Sequence, residues 1–168
     1  MLSLDSSPLL GLARKVEPGD VSNREGAAAA AYFMQLFGSD FRRDRHGLHP
    51  NPMLNYGYTV LRAATTRALL CCGLLPYLGL HHRGRGDAFP LSDDMMEPFR
   101  PFVDLAVYRL WSEGCRETDR DVRARLAAVM LEPAGERGRL CDAVMDAASL
   151  LRRCLEDGTD TLIFPTPC

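Results

Sequence analysis

The sequence predicts an all-α protein, and three observations point there. No run of alternating apolar and polar residues extends beyond a few positions. Helical punctuation dominates instead, with short polar residues and prolines ahead of candidate helices and glycines behind them. The length of 168 residues, 46% hydrophobic and 25% charged, is that of one ordinary globular domain able to bury a core.

The elements are taken in chain order. Residues 8 to 16, PLLGLARKV, form a short apolar first segment, and EPGDVSN supplies a turn with several N-cap residues. A helix then runs from about Arg24 to Phe37, through five consecutive alanines and Tyr32, Phe33, Leu36 and Phe37. Gly38 stands where a left-handed C-cap is wanted. The alanine run allows close approach of another backbone.

The polar loop FRRDRHGLHPNP closes on Asn51 as N-cap, with Pro52 at the first helical position. The next helix reaches Cys72 and is stopped by Gly73. Asn55, Arg62, Thr65, Thr66 and Arg67 interrupt its apolar residues, which marks it as the central core helix and not a membrane span.

After GLLPYLG, Ser92 or Asp93 caps a third helix, in which Pro98 and Pro101 force a kink or a short first segment before VDLAVYRLW. Thr118, with Asp121 three residues on, starts a further short helix. Glu136 to Glu156 forms the last one, ended by Gly158. The expected organisation is a connecting segment with a first short helix over 1–18, a helical domain over 19–157, and a loosely attached tail over 158–168.

Several classes are excluded by what the residues lack. LSLDSSPLL after Met1 has neither the basic start nor the apolar core of a signal peptide, so a cytoplasmic protein is expected. The six cysteines form no CxxC pair. They are read as reduced and structural, with Cys71 and Cys72 as a buried pair and no zinc. GxxxxGK[ST], GxSxG and HExxH are absent, and RGRGD lacks the flanking strand and helix of a dinucleotide loop. His46 and His49 have a helical metal spacing, but Gly47 and Pro50 argue against a helix there.

The net charge of −2 hides an asymmetry. Residues 1–90 carry 10 basic and 7 acidic side chains and residues 91–168 carry 10 and 15, so the first half is better suited to meet an anion. Nineteen of the twenty basic residues are arginine, which suits bidentate phosphate contacts and is equally what GC-rich codon usage produces.

Chemistry concentrates in LGLHHRGRGDAFPLSDDMMEPFRP, residues 78–101. Asp94 and Glu97, three apart in a first helical turn, point from one face. A plainer account is that such acids complement the macrodipole. Glu25 likewise completes a capping box, Ser22-x-x-Glu25. One histidine with two or three carboxylates is nevertheless a sensible shell for Mn²⁺ or Mg²⁺. Arg83 and Arg85, on a glycine-rich loop, would hold a phosphate beside it, or else belong to an exposed loop with no ligand.

The strings GDVSNREGAAAAAYFMQLFGSDFRRD, NPMLNYGYTVLRAATTRALLCCGLLPYLGLHH and LSDDMMEPFRPFVD come one after another in the order and approximate spacing of the CRISPR-associated protein one family, the integrases that insert spacers into CRISPR arrays. Over Gly19 to Asp104 the chain resembles the type II branch in particular.

That resemblance implies an all-helical catalytic domain with a one-metal site, using Mg²⁺ or Mn²⁺, in an endonuclease and integrase. The REG motif makes Glu25 the first ligand and EPFRP makes Glu97 the acid. The family histidine falls on His82, with His81 beside it, and Asp94 has a supporting or alternative ligand role. Arg42, Arg43, Arg83, Arg85 and Arg100 are the basic groups nearest these motifs and are expected to contact DNA phosphates.

Expected partners are double-stranded and branched DNA (prespacer and CRISPR repeat), a second copy in a homodimer, and the small CRISPR-associated protein two. No membrane is expected. Family members resemble a two-domain protein whose N-terminal β-rich domain has no counterpart here, so the chain is expected to be a catalytic-domain fragment. Two other readings of the residues stand beside this one. One is a catalytically silent helical interaction module, in which Glu25 and Asp94 serve as caps. The other is a helical phosphohydrolase acting on small nucleotides.

Overall fold

A computed structural model describes residues 7, 9, 11, 14, 24–80, 88–135 and 138–159. The expected all-α class is borne out. The α-helices are α1 (Arg24–Phe37), α2 (Asn51–Cys71), α3 (Pro90–Met96), α4 (Arg100–Ser112), α5 (Arg120–Ala128) and α6 (Leu140–Asp157), with 3-10 turns at Glu97–Phe99 and Val129–Leu131. An isolated antiparallel bridge joins Pro133 to Arg139, and no strand occurs among the described residues. Ser7, Leu9 and Gly11 are helical. The chain forms two compact units, Met1–Asn51 and Pro52–Cys168.

In the first unit, α1 has the predicted bounds and buries Leu36. Gly38 has φ +102°, a value that strains residues with a Cβ, and its N–H donates to Met34 O at 2.9 Å. The reversal folds Phe41 back on the helix. Its ring lies 5.0 Å from Phe37 and 6.0 Å from Phe33, within the range of favourable aromatic pairing.

The polar loop after Phe41 is organised by Asn51, which is 3% exposed. Its side-chain oxygen accepts from the Asp44 N–H at 2.9 Å and from Arg43 Nη1 at 3.0 Å, while its amide donates to Arg42 O and Leu48 O at 3.0 and 3.1 Å. The expected N-cap role is thus corrected. Asn51 is already the first residue of α2, and its side chain turns back to bind the loop because a buried amide needs all its partners there.

The second unit is built around α2, as predicted. Met53, Leu54, Leu61 and Leu69 are fully buried. Thr59, Thr65 and Thr66 satisfy their hydroxyls on the carbonyls four residues earlier, so the polar residues cost the helix little. Gly57 sits where α4 crosses. A Cβ there would lie 2.4 Å from Val103 Cγ1, so only glycine permits this approach.

A Schellman motif ends the helix, with Gly73 at φ +74° and Leu74 N–H donating to Leu69 O at 2.9 Å. Cys71 is exposed and Cys72 half-buried, which corrects the expectation of a buried pair: the chain reverses at Gly73 and leaves Cys71 facing outward.

The third predicted helix is corrected at its start. α3 begins at Pro90, whose missing N–H and fixed φ suit a first helical position, after an N-cap, Phe89, that makes no side-chain cap bond. Ser92 and Asp93 are therefore inside the helix. Ser92 is fully buried with its hydroxyl 2.8 Å from that of Thr66, and Asp93 pairs with Arg62 at 3.1 Å. Both contacts fasten α3 to α2.

The expected break at Pro98 and Pro101 takes the form of the 3-10 turn Glu97–Phe99, after which α4 buries Phe102, Val103, Ala106, Val107 and Leu110. The next helix is capped by Asp119, one residue beyond Thr118, whose carboxylate accepts from Val122 N–H at 2.9 Å. The last helix starts at Leu140 and not at 136. Gly138, at φ +80°, and the Ala134 N–H to Gly138 O bond at 2.7 Å belong to a turn that no helix can include. From Leu140, the buried residues Leu140, Ala143, Val144, Ala147, Ala148, Leu151 and Cys154 keep a 3.6-residue period, and Gly158 ends the helix in a left-handed conformation as predicted.

Candidate metal and phosphate site

The joint between α3 and α4 carries Asp94, Glu97 and Arg100. The two acids do not share a first helical turn as expected: with α3 starting at Pro90, Asp94 lies in its later half and Glu97 opens the 3-10 turn. The macrodipole account therefore loses its footing at Asp94, which lies toward the carboxyl end of α3, and holds only for Glu97 as the first residue of the turn.

Asp94 has a specific partner. Its Oδ2 accepts the backbone N–H of Leu80 at 2.7 Å. Leu80 is the residue immediately before His81 and His82, so the carboxylate secures the chain at the point where the two histidines begin. His81, His82, Arg83 and Arg85 lie outside the described residues.

Glu97 is exposed, and its Oε1 is 3.9 Å from Arg100 Nη2, an ion pair at the edge of contact range. The Arg100 guanidinium lies over the ring of Tyr58, 5.4 Å from the centroid. Beneath it, the Tyr58 hydroxyl donates to Asp104, which is 2% exposed. Tyr58 and Asp104 were not singled out from the sequence. A lone acid within the apolar string FVDLAVY was the available signal, because a buried carboxylate requires a donor.

Glu25, Arg42 and Arg43 belong to the first unit. Glu25 is exposed in the first turn of α1; its proposed capping partner, Ser22, lies outside the described residues. Arg42 Nη1 donates to Ser39 O at 3.0 Å and to Phe41 O at 2.9 Å, and Arg43 holds Asn51, so both guanidinium groups organise their own loop.

Among the described residues, no three His, Cys, Asp or Glu side chains gather closely enough to hold a metal ion. The chemistry of the donors still fits one. An exposed carboxylate at Glu97 and a second at Asp94, whose Oδ2 is committed to Leu80, are hard oxygen donors, and with the histidines that follow Leu80 in the sequence they make a donor set of the kind suited to Mg²⁺ or Mn²⁺. No described helix is long and apolar enough to cross a membrane.

Residues 10–141 match the family described as CRISPR associated protein Cas1. The chain belongs to that family. Relatives include the CRISPR-associated endonuclease Cas1 of Neisseria meningitidis, 48% identical over 111 residues, a match covering 66% of this chain and 36% of that protein. The CRISPR-associated endonuclease Cas1 2 of Pyrobaculum aerophilum is 37% identical over 141 residues, covering 80% of this chain and 48% of that protein. The chain thus spans between a third and a half of the length of these Cas1 relatives. Among solved structures, a casposase bound to integration product superposes with a TM-score of 0.76 at 23% identity, over 98% of this chain and 55% of that one. This likeness establishes the fold.

Proposed function

We propose that this Cas1-family chain carries the metal-dependent catalytic part of a DNA endonuclease and integrase of CRISPR spacer acquisition, joining prespacer 3′-hydroxyl ends to repeat DNA by transesterification. Family membership supports the reaction class. The observation that supports the site is the Asp94 bond to Leu80, which fastens a carboxylate-bearing helix to the residue that precedes the histidine pair in the sequence.

By motif position Glu25, His82 and Glu97 are the ligands. Asp94, with one oxygen engaged by Leu80, supports the histidine segment. A bound Mg²⁺ or Mn²⁺ supplies charge neutralisation at a reacting phosphate. The chain's own residues do the rest. Glu97 presents an exposed carboxylate, and Arg100 beside it offers a guanidinium to a phosphate oxygen. Arg83 and Arg85 are proposed, from their place in the sequence after His82, as further phosphate contacts, and Arg42 and Arg43 as DNA-backbone contacts of the first unit. A 3′-hydroxyl of the DNA is the nucleophile, so no protein nucleophile is needed. Prespacer and repeat DNA, a second copy of the chain and the CRISPR-associated protein two are the proposed partners.

The test is a thermal-stability titration with Mn²⁺. Preferential binding to the folded chain raises Tm, and Glu97→Gln and His82→Ala each remove the rise. A melting temperature indifferent to Mn²⁺ in the unmodified chain would overturn the metal assignment and favour a silent helical interaction module.

A further inference from the structure

Among the described ion pairs, Arg100–Glu97 is the longest. At the same i,i+3 spacing Arg139 and Asp142 close to 3.2 Å, and Arg125–Glu113 and Arg152–Glu156 close to 2.7 and 2.8 Å, whereas Arg100 stops 3.9 Å short of Glu97. The guanidinium lies over Tyr58 instead, with its Nε buried and without a hydrogen-bond partner among the described residues. Donating the phenol proton to a buried carboxylate enriches the ring in electron density and so strengthens its hold on a cation. Asp104, Tyr58 and Arg100 thus form a line of alternating attraction from the core to the surface.

We propose that Tyr58, braced by Asp104, is a positioning residue that holds Arg100 off Glu97, keeping the carboxylate open to a divalent cation and the guanidinium open to a phosphate. Without the ring, Arg100 closes on Glu97 as the other surface pairs do. This inference rests on the proposed role of Glu97 as a cation ligand.

A double-mutant cycle on Mn²⁺ affinity tests it, with Tyr58→Leu, Tyr58→Phe and Arg100→Ala in the whole chain. Tyr58→Phe keeps the ring but removes the hydroxyl that binds buried Asp104. It should lower Tm, and Mn²⁺ affinity should fall between that of the unmodified chain and that of Tyr58→Leu, because the ring remains and its bracing by Asp104 is lost. Tyr58→Leu should weaken Mn²⁺ binding about threefold, in line with a cation–π contact of modest strength. Arg100→Ala should then restore affinity by more in the Tyr58→Leu background than it changes it in the unmodified chain. Equal effects of Arg100→Ala in both backgrounds, or equal affinity losses in the Phe and Leu variants, would overturn the proposal.

A second readout needs no metal. The Arg100 Nε–H resonance should be ring-shifted in the unmodified and Phe proteins and lose that shift in Tyr58→Leu. If the unmodified chain binds no Mn²⁺, the ligand reading fails and this resonance alone decides the positioning. An unchanged resonance in Tyr58→Leu would then sink it.

Discussion

The carboxylate of Asp94 and the amide of Leu80, fourteen residues apart, meet at 2.7 Å. This bond connects α3 to the residue preceding the two histidines. It turns one acid of a proposed ligand set into an anchor, because an oxygen that accepts a backbone N–H has less to offer a cation. Asp94→Ala should speed hydrogen exchange at the Leu80 amide and cost about 1 to 2 kcal/mol, whereas Asp94→Asn, which keeps an acceptor oxygen, should preserve most of the protection. Native-state exchange monitored by NMR separates the two variants.

Gly57 and Val103 offer a cleaner test of packing. Alanine is the better helix former by up to about 1 kcal/mol, yet its methyl would lie 2.4 Å from Val103 Cγ1. Overpacking should prevail, and Gly57→Ala should destabilise by about 1 to 3 kcal/mol in urea denaturation. Adding Val103→Ala should give a smaller combined loss than the two single losses summed.

Asn51 satisfies four groups of its loop from a position 3% exposed. Asn51→Ala removes all four bonds, although Arg43 keeps Asp44 O and Leu48 O keeps the backbone N–H of residue 51, for a loss of about 2 to 4 kcal/mol. Asn51→Asp, which retains the acceptor and loses the donor, should fall between. The Tm of the three proteins orders them.

At the start of α6, the N–H and then the side chain of Arg139 donate to Asp142 and hold its carboxyl below the usual aspartate value. A carboxyl whose folded pKa is depressed contributes stability that is fully present above its unfolded value, near 3.9, and is lost as pH falls through the folded value. Asp142→Asn should therefore narrow the stability difference between pH 6 and pH 2 in acid titrations monitored by circular dichroism. An unchanged acid profile would show that the bond does not persist in solution.

The sequence made some of this architecture readable and concealed the rest for identifiable reasons. The bounds of α1 and the stops at Gly73 and Gly158 were legible because left-handed glycine is a local signal. The start of α3 was not, since Phe89 offers no capping side chain and the more conventional Ser92 and Asp93 are used to bind Thr66 and Arg62 of α2. The turn at Gly138 similarly displaced the start of α6. At the site, Asp94, Glu97 and Arg100 were legible as a motif, whereas Tyr58 and Asp104 were not. Their bond spans 46 residues, and nothing local to either residue names its partner.

The 3-10 turn Glu97–Phe99 has an implication for which changes this segment can absorb. Each residue added to or removed from a helix rotates the downstream chain by about 100°. A single-residue insertion between Met96 and Arg100 would thus swing the guanidinium off the Tyr58 ring, even with every side chain retained. The spacing here should be far less forgiving than the identity of any one exposed neighbour, so natural variants should exchange letters at this joint and leave its length alone.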